Sequence, residues 1–282
     1  MSIRNNSLFM RYSILWSSVI EYKGKIFRME NTVMSLIKKG ISLIIVLFVA
    51  HGLPILSRMV SNSFYLSKIN FEPMRQLVYV MITYSVQICL SIIALKICIR
   101  GNLSDAGFNL HKKTLSLKYF KKFILIWSII VIVFFVIALN LSQEFGSYVK
   151  NICPPNFWNI LNHFVGSVMF AGIGEEPLYR SFVVLILIKY WDNSFKFGKI
   201  IIPHISVISG FIFMTAHIGY DVYPSFTITH LDPLQLLFTF ILGIVWSNIF
   251  VKTRSLLCPI LAHSSANGIQ YAIGFITSFI LK

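Results

Sequence analysis

The chain has 282 residues and a formal net charge of +15, and 56% of its residues are hydrophobic while only 12% are charged. Soluble domains carry about 25% charged residues, so this composition excludes an ordinary soluble domain and predicts a multi-pass protein of the cell membrane, with the lipid bilayer as its surroundings. The basic residues flank apolar segments, as membrane topology requires, and no motif gathers them on one face. Nucleic acid is therefore not an expected partner.

Residues 1–39 mix basic residues with one short apolar run, which Glu21 interrupts. That run is too short to cross a bilayer, which takes about 20 helical residues. We therefore expect residues 1–39 to form a cytoplasmic or interfacial arm, followed by a transmembrane bundle over residues 40–282.

Seven apolar runs in the rest of the chain are long enough to be considered as membrane spans. They predict an all-α fold, a polytopic transmembrane helical bundle of seven to eight spans, with the approximate bounds 40–56, 77–99, 123–141, 157–189, 203–220, 233–251 and 256–281. The count is eight if the fourth run breaks near Gly172 and Gly174. Lysine and arginine concentrate in the arm and in the loops after the second, fourth and sixth spans, which predicts a cytoplasmic amino terminus and an outer carboxy terminus.

Two adjacent carboxylates, Glu175 and Glu176, lie deep inside the fourth apolar run. An ionisable side chain at the bilayer centre costs roughly 2.5 to 3.5 kcal/mol, so such residues usually mark a functional site. Arg180 lies four residues after Glu176 and shares its helix face, so it can neutralise part of this charge. A structural Glu–Arg pair is the simpler interpretation, but it does not account for the second glutamate.

Two histidines inside later spans, His217 and His263, are predicted to lie at depths that the glutamates can reach. Asn267 follows His263 by one turn on the same helix face. The other five histidines lie in loops, at span ends or in a polar stripe with asparagines, where interfacial or packing roles are expected: His51, His111, His163, His204 and His230.

A carboxylate beside an imidazole can hold a water molecule and remove its proton. A second histidine and an asparagine amide can donate hydrogen bonds to the oxyanion of a tetrahedral intermediate. Glu175, His217 and His263 are also a candidate zinc set with a water in the open position. Both routes lead to hydrolysis of an amide or a similar acyl bond; we prefer the route without a cofactor and keep zinc as the alternative.

Three motifs carry a resemblance to a known family. Glu175-Glu176-Pro-Leu-Tyr-Arg180 fits E-E-x-x-x-R, Phe213-Met-Thr-Ala-His217 fits F-x-x-x-H, and His263-Ser-Ser-Ala-Asn267 fits H-x-x-x-N. In this order they resemble the CPBP family (CAAX proteases and bacteriocin-processing enzymes, also called Abi), which is related to the Ras-converting prenyl-protein endopeptidase. The resemblance covers about residues 157–281.

The resemblance implies an intramembrane endopeptidase of the glutamate type, with metal dependence unsettled, that cuts a lipid-anchored, membrane or peptide-precursor substrate near the cytoplasmic side. By the family pattern, Glu175 and His217 activate the water, His263 and Asn267 form the oxyanion hole, and Glu176 and Arg180 support them. A non-catalytic membrane immunity or scaffolding protein with the same fold is the alternative. A proton-coupled transporter is disfavoured because no repeated halves are found.

Overall fold

The structure is a computed structural model that describes residues 5–64, 68–99, 101–221 and 227–281, with side chains from residue 32 onward except that of Asp221. Most of the predicted arm, residues 1–39, therefore lies outside the described side chains, and the arm stays a prediction. By their internal contacts the residues form two compact units, 1–45 and 46–282. The first is helical over its described residues, 5–45, and Ser42 Oγ donates a hydrogen bond to the carbonyl of Lys39 within it. The site described below lies entirely in the second unit.

Ten α-helices and two small hairpins make up the described chain. The long helices are α1 (Asn5–Ser63), α2 (Glu72–Cys98), α3 (Lys113–Leu141), α9 (Pro233–Thr253) and α10 (Leu257–Ile280), and the shorter ones are α4 (Gln143–Ile152), α5 (Phe157–Asn162), α6 (Ala171–Glu176), α7 (Val184–Leu187) and α8 (His204–Thr215). The antiparallel hairpins pair β1 (Ser194–Phe197) with β2 (Ile200–Pro203), and β3 (Gly219–Asp221) with β4 (Thr227–His230). The all-α prediction is confirmed, and the hairpins are additions that the sequence did not suggest.

Within the part of the chain that the structure describes, four helices are long and apolar enough to cross a membrane: Thr32–Ser63, Glu72–Cys98, Lys113–Leu141 and Pro233–Thr253. The first extends beyond the predicted bounds of 40–56, because α1 continues through Pro54 to Ser63. The protein is thus a multi-pass membrane protein built as a helical bundle. The total of seven to eight crossings stays a prediction, since it depends on the three remaining apolar runs.

Those three runs depart from simple spans in different ways. The fourth is one winding path in which α5, α6 and α7 alternate with two π-helical stretches, π1 (His163–Phe170) and π2 (Pro177–Val183). The fifth is shorter than predicted, because α8 has 12 residues and ends at Thr215. The last, α10, has 24 residues and is long enough to cross, but polar side chains such as His263, Asn267 and Gln270 interrupt its apolar surface.

Local sequence explains where several helices begin. Helix α9 starts at Pro233, whose missing N–H is harmless in a first turn, and Asp232 accepts hydrogen bonds from the backbone N–H groups of Leu234 and Gln235. Helix α4 starts where Ser142 Oγ accepts from the N–H of Phe145. These side chains satisfy backbone donors that a helix start leaves without partners.

Helices α8 and α9 pack closely because glycines face each other at their crossing. A Cβ placed on Gly243 would lie 2.7 Å from the Cα of Gly210, so any side chain there would push the helices apart. Beside this crossing, buried Ser247 donates to Ser209 across the interface at 2.9 Å. The close approach brings the end of α8, with Phe213, next to Trp246 on α9.

Candidate active site

The two adjacent glutamates face different surroundings. Glu176 is fully buried, whereas Glu175 lines a cavity of about 570 Å³. Residues one apart on a helix point about 100° away from each other, which separates the two carboxylates even though they are neighbours in sequence. The predicted pair therefore divides into one carboxylate on the cavity wall and one behind it.

Glu176 holds together a buried network of three charged or ionisable side chains. Its Oε2 lies 2.9 Å from Nε of Arg180, and its Oε1 accepts a hydrogen bond at 2.8 Å from Nδ1 of His263. Glu176 and Arg180 are fully buried, and His263 is 5% exposed. The network joins π2 and Glu176, the residue before it, to α10. The support role of Glu176 and Arg180 stays a prediction.

Arg180 is further enclosed by aromatic rings. Its Cζ lies 4.5 Å from the centroid of the Phe213 ring and 5.5 Å from that of Trp246, distances at which a guanidinium is attracted to a ring face. Within the described chain, its Nη1 and Nη2 have no hydrogen-bond partner. The ring faces of Phe213 and Trp246 therefore take the place of water around these two nitrogens.

The same two rings also contact the candidate histidines: Phe213 meets both, and Trp246 meets His263. Trp246 stacks on His263 with centroids 4.7 Å apart and an angle of 22° between the planes. Phe213 meets the edge of His217 at 4.6 Å and lies 5.9 Å from His263. Sequence reasoning included Phe213 only as the first position of a motif and missed the role of Trp246, which is 1% exposed.

His217 lies in the turn that follows α8, and not within a helical span as the sequence predicted. Its Nδ1 lies 2.8 Å from the carbonyl oxygen of Phe213. A carbonyl only accepts hydrogen bonds, so Nδ1 carries the proton and donates it. The neutral ring then has an unprotonated Nε2, and the imidazole lines the cavity.

Glu175 is held by a residue from a distant part of the chain. The hydroxyl of Tyr84 on α2 donates to Oε1 of Glu175 at 3.2 Å, while Oε2 is buried without a partner in the described chain. Three residues later on α2, Gln87 donates to the carbonyl of Gly174 at 3.3 Å. Sequence reasoning missed both residues, although Tyr84, Gln87 and Ser91 form a polar stripe at helical spacing in an apolar run.

Asn267 lies one turn after His263 on α10 and lines the same cavity. Its Nδ2 donates to the carbonyl of Ser167, in π1, at 2.8 Å. An asparagine amide has two N–H donors, so one remains for another acceptor. Of the six predicted site residues, Glu175, His217, His263 and Asn267 line the cavity, and Glu176 and Arg180 lie behind it.

The zinc alternative receives no geometric support. Among the described residues, no group of three or more His, Cys, Asp or Glu side chains is arranged to hold a metal ion. Glu175, His217 and His263 share the cavity wall but do not form such a cluster.

The helical bundle and the cavity together define a multi-pass membrane protein with a carboxylate, two imidazoles and an amide on one internal surface. Residues 156–269 match the family model described as type II CAAX prenyl endopeptidase Rce1-like. This part of the chain is therefore an Rce1-like domain of the CPBP family, which confirms the resemblance drawn from the three motifs. Searches of the curated proteins and of the solved structures found no match.

All six motif residues fall within the matched region, whereas Tyr84 and Gln87 lie before it. At the level of the family, this domain is that of a CAAX-type intramembrane endopeptidase, whose substrate is a peptide or protein at the membrane.

Proposed function

We propose that this protein hydrolyses a peptide bond in a lipid-anchored, membrane or peptide-precursor substrate, using a water molecule activated by Glu175 and His217 and no cofactor. The observation that carries the proposal is the shared cavity: a carboxylate, two imidazoles and an amide donor line one space of about 570 Å³. Ligand cavities commonly measure about 300 to 1,000 Å³. The space is sufficient for a short peptide segment and a water molecule.

Glu175 is suited to act as the general base. Oε1 is held by Tyr84, which fixes the orientation of the carboxylate, and Oε2 has no partner among the described residues. A general base must lie within hydrogen-bond reach of the proton that it removes, and positioned proton transfer contributes about 10²- to 10⁴-fold to a rate. A water molecule held in the cavity beside the Glu175 carboxylate would meet this requirement.

His217 complements Glu175 because its tautomer is fixed. The Phe213 carbonyl holds the proton on Nδ1, so Nε2 accepts a hydrogen bond from the water that Glu175 deprotonates. When the tetrahedral intermediate collapses, Glu175 delivers that proton to the leaving amine. The His217 ring orients the water without rotating, since Nδ1 stays bound to the carbonyl throughout.

His263 and Asn267 are suited to stabilise the oxyanion of the tetrahedral intermediate. Glu176 accepts from Nδ1 of His263 and so fixes the orientation of the ring, and in a protonated ring Nε2–H is a charged donor. Asn267 offers its second amide N–H. Removing one such donor from an oxyanion hole typically costs about 10²- to 10³-fold in kcat.

The test is cleavage of a quenched-fluorescent peptide library by the purified full chain in detergent. Wild type is compared with Glu175→Gln, His263→Ala and the control Glu144→Gln, which changes an exposed glutamate on α4. Each protein is assayed with and without a chelator, and folding is checked by thermal unfolding. We expect loss of activity in the first two variants only, and no effect of the chelator.

Two outcomes would overturn parts of this proposal. Loss of wild-type activity with chelator, recovered on adding zinc, would make Glu175, His217 and His263 metal ligands. Equal inactivity of folded wild type and variants, with the variants still protecting cells in an immunity assay, would replace the protease by the non-catalytic scaffold.

A further inference from the structure

The cavity lies toward one end of the second unit. It is lined by the second half of α3, by α4, by the first half of α9 and by the second half of α10. Contacts hold these parts together: Phe238 on α9 packs edge-on against Phe134 on α3, and a Cβ on Gly146 of α4 would lie 3.3 Å from Leu281, after α10. The exposed polar residues of the lining, Arg58, Tyr148 and Gln235, mark the end at which the cavity meets water.

The opposite end is formed by the start of α3, the turn between α9 and α10, and the loop after α2. Lys112 Nζ donates to the carbonyl of Lys252 at 3.1 Å, and Asn109 Nδ2 donates to that of Arg254 at 2.9 Å. The backbone N–H of Leu256 also donates to the carbonyl of Gly107 at 2.9 Å. These bonds place the loops before α3 and after α9 side by side, away from the cavity lining.

Lysine and arginine divide unequally between the two ends. Helix α8 ends beside the cavity, so its start and the β1–β2 hairpin before it lie at the loop end. In the described part of the second unit, eleven lysines and arginines lie at that end: Lys96, Lys112, Lys113, Lys118, Lys121, Lys122, Lys189, Lys196, Lys199, Lys252 and Arg254. Four lie at the cavity end: Arg58, Lys68, Arg75 and Lys150. Short loops rich in these residues stay in the cytoplasm, so the loop end faces the cytoplasm.

We infer that the cavity opens on the extracytoplasmic face of the membrane, so that its substrate is an exported or membrane-inserted polypeptide reached from outside. The substrate part of this inference rests on the proposed function. It departs from the expectation of cleavage near the cytoplasmic side, because the catalytic groups are approached from the end of the bundle that carries few basic residues.

The depth of the site adds a requirement on the substrate. Trp246, which stacks on His263, lies 13 residues after Pro233, the first residue of α9, and this corresponds to about 20 Å at a rise of 1.5 Å per residue. An extended chain covers about 3.3 Å per residue. A substrate therefore needs about six extended residues between the outer surface and the bond that is cut.

Orientation is tested by cysteine labelling in intact bacterial cells that express the full chain, with its four native cysteines replaced by alanine. Lys150→Cys and Lys118→Cys form a matched pair, since both lysines are exposed and lie at opposite ends. Gln235→Cys reports the cavity mouth. With a membrane-impermeant maleimide, we expect labelling of positions 150 and 235 in intact cells, and labelling of position 118 only after lysis.

Protection of position 150 or 235 in intact cells, or labelling of position 118 there, would overturn the inference. A second measurement uses reporters fused after residue 282 of the otherwise unmodified chain. Alkaline phosphatase fused there should be active, and a green fluorescent protein fused there should be dark. The reverse result would also overturn the inference. Neither measurement requires activity, so an inactive protein with the expected labelling would reject the proposed protease and leave the orientation standing.

Discussion

Nδ1 of His263 donates a hydrogen bond to Oε1 of Glu176 at 2.8 Å, between two side chains that are both buried. The second oxygen of Glu176 forms an ion pair with Arg180. One carboxylate therefore binds both His263, a candidate catalytic residue, and a buried cation. Glu176 therefore acts on the cavity only through the positions of these two partners.

Glu176→Gln should destabilise the protein, because it leaves the Arg180 guanidinium buried without an opposite charge. Breaking a buried ion pair from one side costs about 3 to 5 kcal/mol. The free energy of unfolding, measured by detergent titration, should fall by this order. Glu144→Gln, on an exposed glutamate, should change it by less than about 0.5 kcal/mol, and equal stability of both variants would contradict the role of the network.

Tyr84→Phe should lower kcat about tenfold and leave KM nearly unchanged. The substitution removes only the hydroxyl that orients Glu175. A hydrogen bond to a charged group contributes about 1.5 to 3 kcal/mol, and raising the activation barrier by about 1.4 kcal/mol slows a reaction tenfold. The assay is steady-state cleavage of the best peptide from the library. Tyr79→Phe, five residues earlier on α2, is the control, and a matching loss there would remove Tyr84 from the site.

Gly172→Ala should impair folding and activity because α6 packs directly on α10 at this residue. An added Cβ would lie 2.6 Å from Ser264 Oγ and 3.0 Å from the carbonyl oxygen of Ile260. The serine can rotate, but the backbone carbonyl cannot move without shifting α10. Overpacking of this kind costs about 1 to 3 kcal/mol.

The control for this glycine is Gly268→Ala on α10, where an added Cβ would meet Val168 at 3.6 Å, an ordinary contact. Thermal unfolding in detergent should show a lower midpoint for the first variant and an unchanged one for the second. Similar midpoints in the two variants would mean that α6 and α10 are not as close as described.

Trp246→Leu should destabilise the protein more than Trp246→Phe. The indole stacks on His263 and lies 5.5 Å from the Arg180 guanidinium, and only an aromatic replacement keeps an attraction to a buried cation. Such an attraction amounts to about 0.5 to 2 kcal/mol, which is the expected difference in unfolding free energy between the two variants. Phe211→Leu, on an exposed ring of α8, is the control for loss of aromatic area.

The sequence alone was sufficient to predict the motif residues, but it did not predict the side chains that hold them in place. Glu175, Glu176, His217 and His263 stand out because polar residues are rare inside apolar runs. Tyr84 precedes Glu175 by 91 positions, and such a contact depends on how α2 packs, which no local pattern encodes. The sequence feature that pointed to Tyr84 was the polar stripe that it forms with Gln87 and Ser91 on α2.

The end of α8 shows why span boundaries were less accurate. The apolar run continues through Ala216 and Ile218, so hydropathy gave no reason to end the helix before Tyr220. The helix ends at Thr215, where the His217 side chain donates to the carbonyl of Phe213. A side chain thus closes the helix, and hydropathy does not register that bond.

The two π-helical stretches around the glutamates change how the motif spacing should be interpreted. A π turn accommodates one more residue than an α turn, so deleting a single residue from π2 would let the helix wind regularly while α7 kept nearly the same orientation relative to Glu176. When sequences are aligned across this helix, a one-residue gap after Pro177 therefore has a geometric meaning. A relative that lacks that residue would still present the same side of α7 to α8, because the regular turn takes up the deletion.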